Sequence, residues 1–268
     1  MRILLLTHAF NSLTQRLGAE LRERGHEISI EFDIADSVAE EAVVLFGPDL
    51  IVAPYLRRAI PESIWKRHVC LVVHPGIVGD RGPSALDWAL QEGAAAWGVT
   101  VLQAEAEMDA GPVWATAEFP LRAAKKSSVY RNEVTQAATT AVLSAVDKFA
   151  AGQSPTPLAA WPDARGRLRP LMKQGDRGID WRHDDSATVL CKINAADGFP
   201  GVADSLFGQP CHIFDAWPEK VGAGGTAVMA HHARLLDIKA FVLRQREELD
   251  AGGVLEFIED LELATPKH

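Results

Sequence analysis

The sequence predicts an α/β protein whose mostly parallel, Rossmann-like sheet is followed by a small mixed or barrel-like domain and a terminal helix. Strand-like and helix-like patterns alternate over residues 1–152, as they do where helices cover both faces of a parallel sheet. A glycine and several prolines then interrupt regular structure. We therefore expect a first domain over 1–152, a linker over 153–170, a small domain over 171–222 and a helical tail over 223–268.

The first elements follow from apolar runs and capping residues. Arg2–Ala9 has the composition of a buried strand. Asn11 and Ser12 can cap the helix that follows, because their side-chain oxygens accept hydrogen bonds from backbone N–H groups. That helix runs to Arg24, since Gly25 is typical of a helix C-terminus. The pattern next predicts a strand over Glu27–Phe32, a helix over Ser37–Phe46, a strand over Asp49–Tyr55 and a short helix over Pro61–Arg67.

The same alternation continues along the rest of the first domain. It predicts a strand ending at His74, a helix over Ser84–Glu92, strands over Val99–Ala104 and Gly111–Leu121, and a long helix from about Ser127 to Ala151. The run Val69–Val73, which precedes His74, is apolar and rich in β-branched residues.

The second domain shows shorter elements. A helical pattern over Ala187–Ala196 lies between two strand-like segments, Ile179–Trp181 and Gln209–Trp217. Gly222–Gly225 predicts a flexible joint. The spacing of the apolar residues over His231–Leu249 predicts the terminal helix.

The composition is that of an ordinary globular protein, with 47% hydrophobic and 24% charged residues. A net charge of −9 and a pI near 5.5 argue against nucleic acid as a partner. Cys70, Cys191 and Cys211 are odd in number and lack CxxC spacing, so we expect no disulfide framework and a reducing compartment. No apolar run has the length of a signal peptide or a membrane span. We expect a cytoplasmic protein that binds neither nucleic acid nor membrane.

Two other classes of enzyme lack their sequence signatures here. A nicotinamide-dependent dehydrogenase has GxGxxG after its first strand, whereas this chain reads THAFNSL without glycine. A metalloenzyme has clustered ligands, but His231 and His232 are adjacent in a predicted helix and would point to different faces. We expect no metal site.

A histidine and a carboxylate follow two neighbouring strand-like runs of the first domain. His74 ends the run VCLVVH and precedes a polar, glycine-rich turn, and Asp109 follows the run that ends near Leu102. In an open parallel sheet, ligands bind beyond the carboxyl ends of the strands. A His–Asp pair at that edge suits proton transfer during group transfer.

Several segments in the same order resemble one family. THAFNSLTQR, PDLIVAP, HPGIVGDRGPSALDWA, EMDAGPVWA and RPLMKQGDRGIDW are similar to the folate-dependent formyltransferases. Within that superfamily they resemble most the N-terminal formyltransferase half of the hydrogenase maturation factors HypX (HoxX). The resemblance runs from Met1 to about Trp217 and implies the formyltransferase fold. It also implies a second half similar to enoyl-CoA hydratases, which we do not find after Trp217, so we expect a missing half or a hydratase-like partner.

The resemblance implies formyl transfer from 10-formyltetrahydrofolate to an acceptor, coenzyme A in HypX-like proteins that supply carbon monoxide to nickel–iron hydrogenase. His74 would stabilise the charge on the formyl oxygen or move the proton, and Asp109 would orient the imidazole. Two alternatives stay open. One is transfer to an amine of a sugar or amino-acid metabolite, and the other is a folate-binding scaffold without activity.

The resemblance also implies the folate contacts. By position in the family's motifs, the pterin would bind at two loops, through the residues Pro54, Tyr55, Leu56, Ala106, Glu107 and Asp109. The loop around Asn11 opens a helix and could receive an anionic group. One position departs from the family, because Val72 stands where most members carry an asparagine that binds the formyl oxygen. Asn11, Gln103 and Ser84 are the candidate replacements.

Overall fold

The computed structural model describes residues 1–162, 164–197, 200–206, 209–221 and 225–235. The chain divides into two compact units. The first contains Met1–Leu86, Ala95–Arg122 and Val129–Leu171, and the second contains Asp87–Ala94, Ala123–Ser128 and the described residues from Met172 onward. The domain limits expected from the sequence stay predictions.

A six-stranded sheet forms the centre of the first unit. Its strands are β1 (Arg2–Thr7), β2 (Glu27–Phe32), β3 (Leu50–Tyr55), β4 (Cys70–His74), β5 (Ala96–Gln103) and β6 (Val113–Pro120). They lie in the order β2-β1-β3-β4-β5-β6. The first four neighbours are parallel, whereas β5 is antiparallel to both β4 and β6. The prediction of a mostly parallel sheet is confirmed, with one reversed strand that the sequence pattern did not reveal.

Helices connect the strands at the predicted places. They are α1 (Ser12–Glu23), α2 (Asp36–Phe46), α3 (Glu62–Trp65), α4 (Ala85–Gln91), α5 (Lys126–Val129) and α6 (Thr135–Ala150). Asn11 caps α1, because its side chain accepts a hydrogen bond of 3.0 Å from the backbone N–H of Thr14. The long helix predicted over Ser127–Ala151 is interrupted by a π-helical turn at Tyr130–Val134.

The core lies where helices cover the central strands. Residues 3–6 of β1 and 50–53 of β3 are buried, and Leu13, Leu17 and Leu21 place one face of α1 in the core. Each fully buried leucine contributes roughly 1.5–3 kcal/mol of transfer free energy. This packing fixes the strands whose carboxyl ends lead into the loops of the site.

The second unit contains a helix, α7 (Ser186–Ala195), and an antiparallel sheet of β7 (Val202–Leu206), β8 (Gln209–Val221) and β9 (Gly225–Leu235). Apolar residues of the helix and the sheet pack together, among them Val189, Ile193, Val202 and Ile213. The helix predicted over Ala187–Ala196 and the strand predicted from Gln209 are confirmed within one residue at their first positions. Residues 179–181 lie outside any strand.

The helix predicted from His231 is wrong for the part of the tail that the structure describes. His231 to Leu235 belong to β9, which pairs with β8 in antiparallel register as far as Cys211 opposite Leu235. Most of the apolar residues whose spacing predicted a helix lie beyond residue 235. Before that point, pairing with β8 sets the backbone conformation. The remainder of the predicted helix lies outside the described residues, as do 222–224 of the predicted joint.

None of the helices in the described part of the chain combines the length and the apolar character needed to cross a membrane.

Candidate active site

His74 is the last residue of β4 and its ring is 4% exposed. The chain then bends at Pro75 and Gly76, and both carbonyls accept hydrogen bonds from side chains of β5. Trp97 Nε1 donates to the Pro75 carbonyl at 2.9 Å, and Thr100 Oγ1 donates to the Gly76 carbonyl at 2.8 Å. These two bonds from β5 fix the start of the loop that follows the histidine.

Asp109 reaches His74 by a route that differs from the expected one. Because β5 is antiparallel to β4, Gln103 at its carboxyl end pairs with Leu71, three residues before His74. The expectation that both side chains follow the same edge of a parallel sheet is therefore wrong. The loop after Ala104 turns back instead and places Asp109 Oδ1 3.5 Å from His74 Nδ1.

The backbone of Asp109 is also unusual. Its φ of 56° lies in the left-handed region, which aspartate tolerates better than most residues. Its Oδ2 accepts a hydrogen bond of 3.0 Å from the Gly82 backbone N–H. Asp109 thus connects the loop after β5 with the loop after β4, in addition to facing the imidazole.

A second carboxylate, absent from the sequence prediction, contacts the other side of the ring. His74 Nε2 lies 2.9 Å from Asp80 Oδ1, and the Asp80 side chain is 1% exposed. A carboxylate only accepts hydrogen bonds, so Nε2 donates. Asp80 lies within the segment HPGIVGDRG that drew attention to His74, but an acid between two glycines is also typical of a surface turn. Only the path of the loop brings it back to the ring.

Gly76 is required by this arrangement. A Cβ at that position would lie 2.5 Å from His74 Nε2 and 2.7 Å from Asp80 Oδ1. Both distances are shorter than any tolerable van der Waals contact, so a side chain at position 76 would displace the His–Asp pair.

The segment after residue 163 packs against the same loop. Gly166 donates to the Val78 carbonyl at 2.9 Å, and Arg169 donates to the Arg81 carbonyl at 2.9 Å. A Cβ on Gly166 would lie 1.7 Å from the Asp80 nitrogen. Part of the stretch expected to be a linker therefore holds the loop that carries Asp80.

Arg169 also balances charge at the site. Its Nε lies 3.8 Å from Asp80 Oδ2, and its side chain is 12% exposed. Taking a carboxylate out of water is costly, and a cation at this distance offsets part of that cost.

The remaining predicted site residues lie at strand ends without a contact to His74 among the described hydrogen bonds and ion pairs. Pro54, Tyr55 and Leu56 are at the carboxyl end of β3, where the Tyr55 carbonyl accepts from the His8 backbone N–H at 2.7 Å. Ala106 and Glu107 are exposed, and Glu107 pairs with Arg81 at 2.5 Å.

Two of the three residues expected to replace the family's asparagine, Asn11 and Gln103, make hydrogen bonds to other groups. Besides capping α1, Asn11 donates through Nδ2 to the Tyr130 hydroxyl at 3.2 Å. Burial raises the pKa of that hydroxyl to about 12, so it is neutral at physiological pH. Gln103 Oε1 accepts from Trp114 Nε1 at 3.2 Å, and Ser84 is buried. The expectation that one of these three residues replaces the asparagine that most members carry at position 72 stays a prediction.

No cluster of three or more metal-ligating side chains exists among the residues that the structure describes. His74, with a carboxylate on each side, can donate hydrogen bonds and transfer protons.

The fold is that of the formyltransferases. Residues 19–146 match the profile of the family described as formyl transferase. The resemblance to the hydrogenase maturation factors is confirmed as well. The chain is 60% identical over 217 residues to the hydrogenase maturation factor HoxX of Bradyrhizobium diazoefficiens, covering 81% of this chain and 38% of the relative.

Solved structures agree with these matches. The crystal structure of HypX from Aquifex aeolicus in complex with tetrahydrofolic acid superimposes with a TM-score of 0.80 at 41% identity, covering 92% of this chain and 48% of that one. A methionyl-tRNA formyltransferase from Clostridium thermocellum shares the fold, with a TM-score of 0.65 at 16% identity over 88% of this chain and 99% of that one. The chain thus spans less than half the length of the HoxX and HypX relatives that it matches.

Proposed function

We propose that this chain transfers a formyl group from 10-formyltetrahydrofolate, and that His74 is the residue at the reacting atoms. The observation that carries the proposal is the buried imidazole, placed at the carboxyl end of β4 with a carboxylate on each side, inside a formyl transferase domain. The tetrahydrofolic acid in the related HypX structure supports a reduced folate as the donor.

The residues have separate tasks in this proposal. The loops at 54–56 and 106–109 bind the pterin. The first follows the carboxyl end of β3, which pairs with β4, and the second turns back to place Asp109 3.5 Å from His74. His74 donates a hydrogen bond to the formyl oxygen as charge develops there, which lowers the barrier by roughly 3–4 kcal/mol in well-placed cases. The acceptor's lone pair bonds to the formyl carbon, the bond from that carbon to the folate nitrogen breaks, and the acceptor's proton passes to that nitrogen through His74.

Coenzyme A is the acceptor that we propose first. The likeness to HoxX and HypX supports it, and Val72 adds a chemical reason. A thiolate needs less help to attack than an amine, which must lose a proton in a site without the usual asparagine amide. An amine of a sugar or amino-acid metabolite is the second candidate, and an inactive folate-binding scaffold is the third. We propose the cytoplasm as the compartment, consistent with the free thiols of all three cysteines.

The donor is tested by calorimetry with tetrahydrofolate and 5-formyltetrahydrofolate. We expect binding by the wild-type chain, and the absence of binding at millimolar ligand would contradict both the enzyme and the scaffold.

The acceptor is tested with a labelled formyl donor, offered coenzyme A in one reaction and amino sugars and hydroxyornithine in others, with products identified by mass spectrometry. Efficient formylation of an amine would favour the second candidate.

The roles of the pair are tested by His74→Ala and Asp109→Ala. Both side chains lie next to loops, so we expect folded proteins whose transfer rate falls by about a hundredfold or more. Folate binding should survive His74→Ala better than Asp109→Ala, because Asp109 lies in a proposed pterin loop. Unchanged turnover in either variant would contradict the role assigned to it.

A further inference from the structure

The two carboxylates beside His74 differ in what they do to the ring. Nε2 lies 2.9 Å from Asp80 Oδ1, which is the distance of a good hydrogen bond. Nδ1 lies 3.5 Å from Asp109 Oδ1, which is beyond the usual range for N–H···O. The orientation of the imidazole is therefore set on the Asp80 side.

We propose that Asp80 is the positioning residue of His74. It accepts the Nε2 hydrogen bond, fixes the ring, and leaves Nδ1, on the Asp109 side, as the nitrogen that serves the formyl transfer. This inference rests on the function proposed above and adds a residue and an atom to it.

The surroundings of the pair support a strong and directional bond. His74 is 4% exposed and the Asp80 side chain 1% exposed, so water does not compete for either group. Hydrogen bonds with an ionised partner are roughly twice as strong as neutral ones. The absence of a side chain at Gly76 is what allows the two groups to meet.

The charge of Asp80 is supported from the opposite side. Asp80 Oδ2 faces Arg169 Nε at 3.8 Å, so the carboxylate lies between the imidazole and a guanidinium. The loop bonds from Gly166 and Arg169 to residues 78 and 81 hold it in that place. Asp109, by contrast, accepts a hydrogen bond from the Gly82 backbone N–H through Oδ2. This bond orders the loop after β4 and does not orient the imidazole.

A chemical consequence follows for the histidine. When Nε2–H is committed to Asp80, Nδ1 takes up the acceptor's proton. The resulting Nδ1–H donates to the formyl oxygen, and the proton then passes to the folate nitrogen. The nitrogen that carries the proton is thus decided by a residue that does not touch the substrate.

The test compares Asp80→Asn, Asp80→Ala and Asp109→Asn by NMR of the ¹⁵N-labelled histidine side chains. We expect a solvent-protected Nε2-bound proton on His74 in the wild type. Its resonance should move in Asp80→Asn, where the partner loses its charge, and lose protection in Asp80→Ala. It should persist in Asp109→Asn.

The same variants are assayed for formyl transfer. Asp80→Asn preserves size and one acceptor oxygen, so a merely structural role predicts wild-type rates. We expect instead a kcat reduced about 10- to 100-fold with unchanged KM for the folate. Asp147→Asn, on the exposed surface of α6, is the matched control and should behave as wild type.

The outcomes separate the two proposals. A wild-type chain that binds folate but transfers no formyl group contradicts the proposed function, while the NMR comparison still decides the role of Asp80. An Nε2 proton that is unaffected by both Asp80 variants overturns this inference, as does a wild-type kcat in Asp80→Asn.

Discussion

At the scale of single residues, the electrostatics around His74 depend on three separate stretches of chain. Asp80 comes from the loop after β4, Asp109 from the loop after β5, and Arg169 from the segment beyond α6. Two of these groups are carboxylates and one is a guanidinium, so removing any one of them changes the electrostatic potential at the other two and at the imidazole. Substitutions here should alter activity and stability together.

Gly76→Ala tests the space that the pair needs. The new Cβ would lie within 2.7 Å of both His74 and Asp80, whose side chains must move apart while the backbone stays in place. We expect a folded protein that binds folate and has lost most of its formyl transfer, as measured by kcat. Gly175→Ala is the control, because nothing lies within 4 Å of its Cβ position. Wild-type turnover in Gly76→Ala would show that the pair is dispensable.

Arg169→Met tests the neutralisation of Asp80. The variant leaves a buried carboxylate without its nearby cation, so we expect the free energy of unfolding to fall by about 1–3 kcal/mol. Urea denaturation measures it. Arg165→Met removes a mostly exposed partner of Glu118 and should change stability by less than about 0.5 kcal/mol. Equal stability of both variants would contradict a specific role for Arg169.

The same scale shows what the sequence could reveal about the site. His74 and Asp109 stood out because their motifs resemble a family. Asp80 and Arg169 did not, because an acid in a glycine-rich turn and an arginine among prolines are ordinary surface residues in sequence. Their roles depend on how two loops fold onto each other.

At the scale of elements, most of the sheet was predictable because the central strands are apolar runs and β2 alternates apolar and polar residues. The reversed direction of β5 was not, since a strand buried on both faces has the same composition in either orientation. The π-helical turn at Tyr130–Val134 was also missed. A π-helical turn adds one residue to a helix, which changes the spacing of apolar residues too little to be recognised in the sequence. Both features depend on tertiary packing.

The interior position of β4 predicts the reactivity of Cys70. This cysteine is fully buried in a strand between β3 and β5, and burial raises the pKa of its thiol to about 12. At pH 8 the thiolate is therefore scarce as well as inaccessible. We expect iodoacetamide to alkylate the half-buried Cys191 of α7 first, with modification followed by mass spectrometry. Early alkylation of Cys70 in the native protein would contradict its position.

At the scale of the whole molecule, the chain matches less than half of each HoxX and HypX relative. If the second half of such proteins holds coenzyme A, these 268 residues by themselves lack the positioning that makes attack effectively intramolecular. That positioning is worth up to roughly 7–11 kcal/mol in favourable cases.

We therefore expect slow formyl-CoA formation by these 268 residues alone and a faster rate when a hydratase-like half is added in trans. Mass spectrometry of the products, with His74→Ala as the inactive control, measures the difference. A rate of formyl-CoA formation that does not change when the hydratase-like half is added would contradict the idea that this half positions coenzyme A.

The contacts of Gly166 and Arg169 also set a lower limit on the length of a working fragment. The family profile ends at residue 146, and the alternating pattern of strands and helices ends near 152. A piece of the gene cut at either point would encode every strand of the main sheet together with His74, Asp80 and Asp109. It would lack the residues that hold the Asp80 loop against the imidazole, so we expect the smallest active fragment to extend past Arg169.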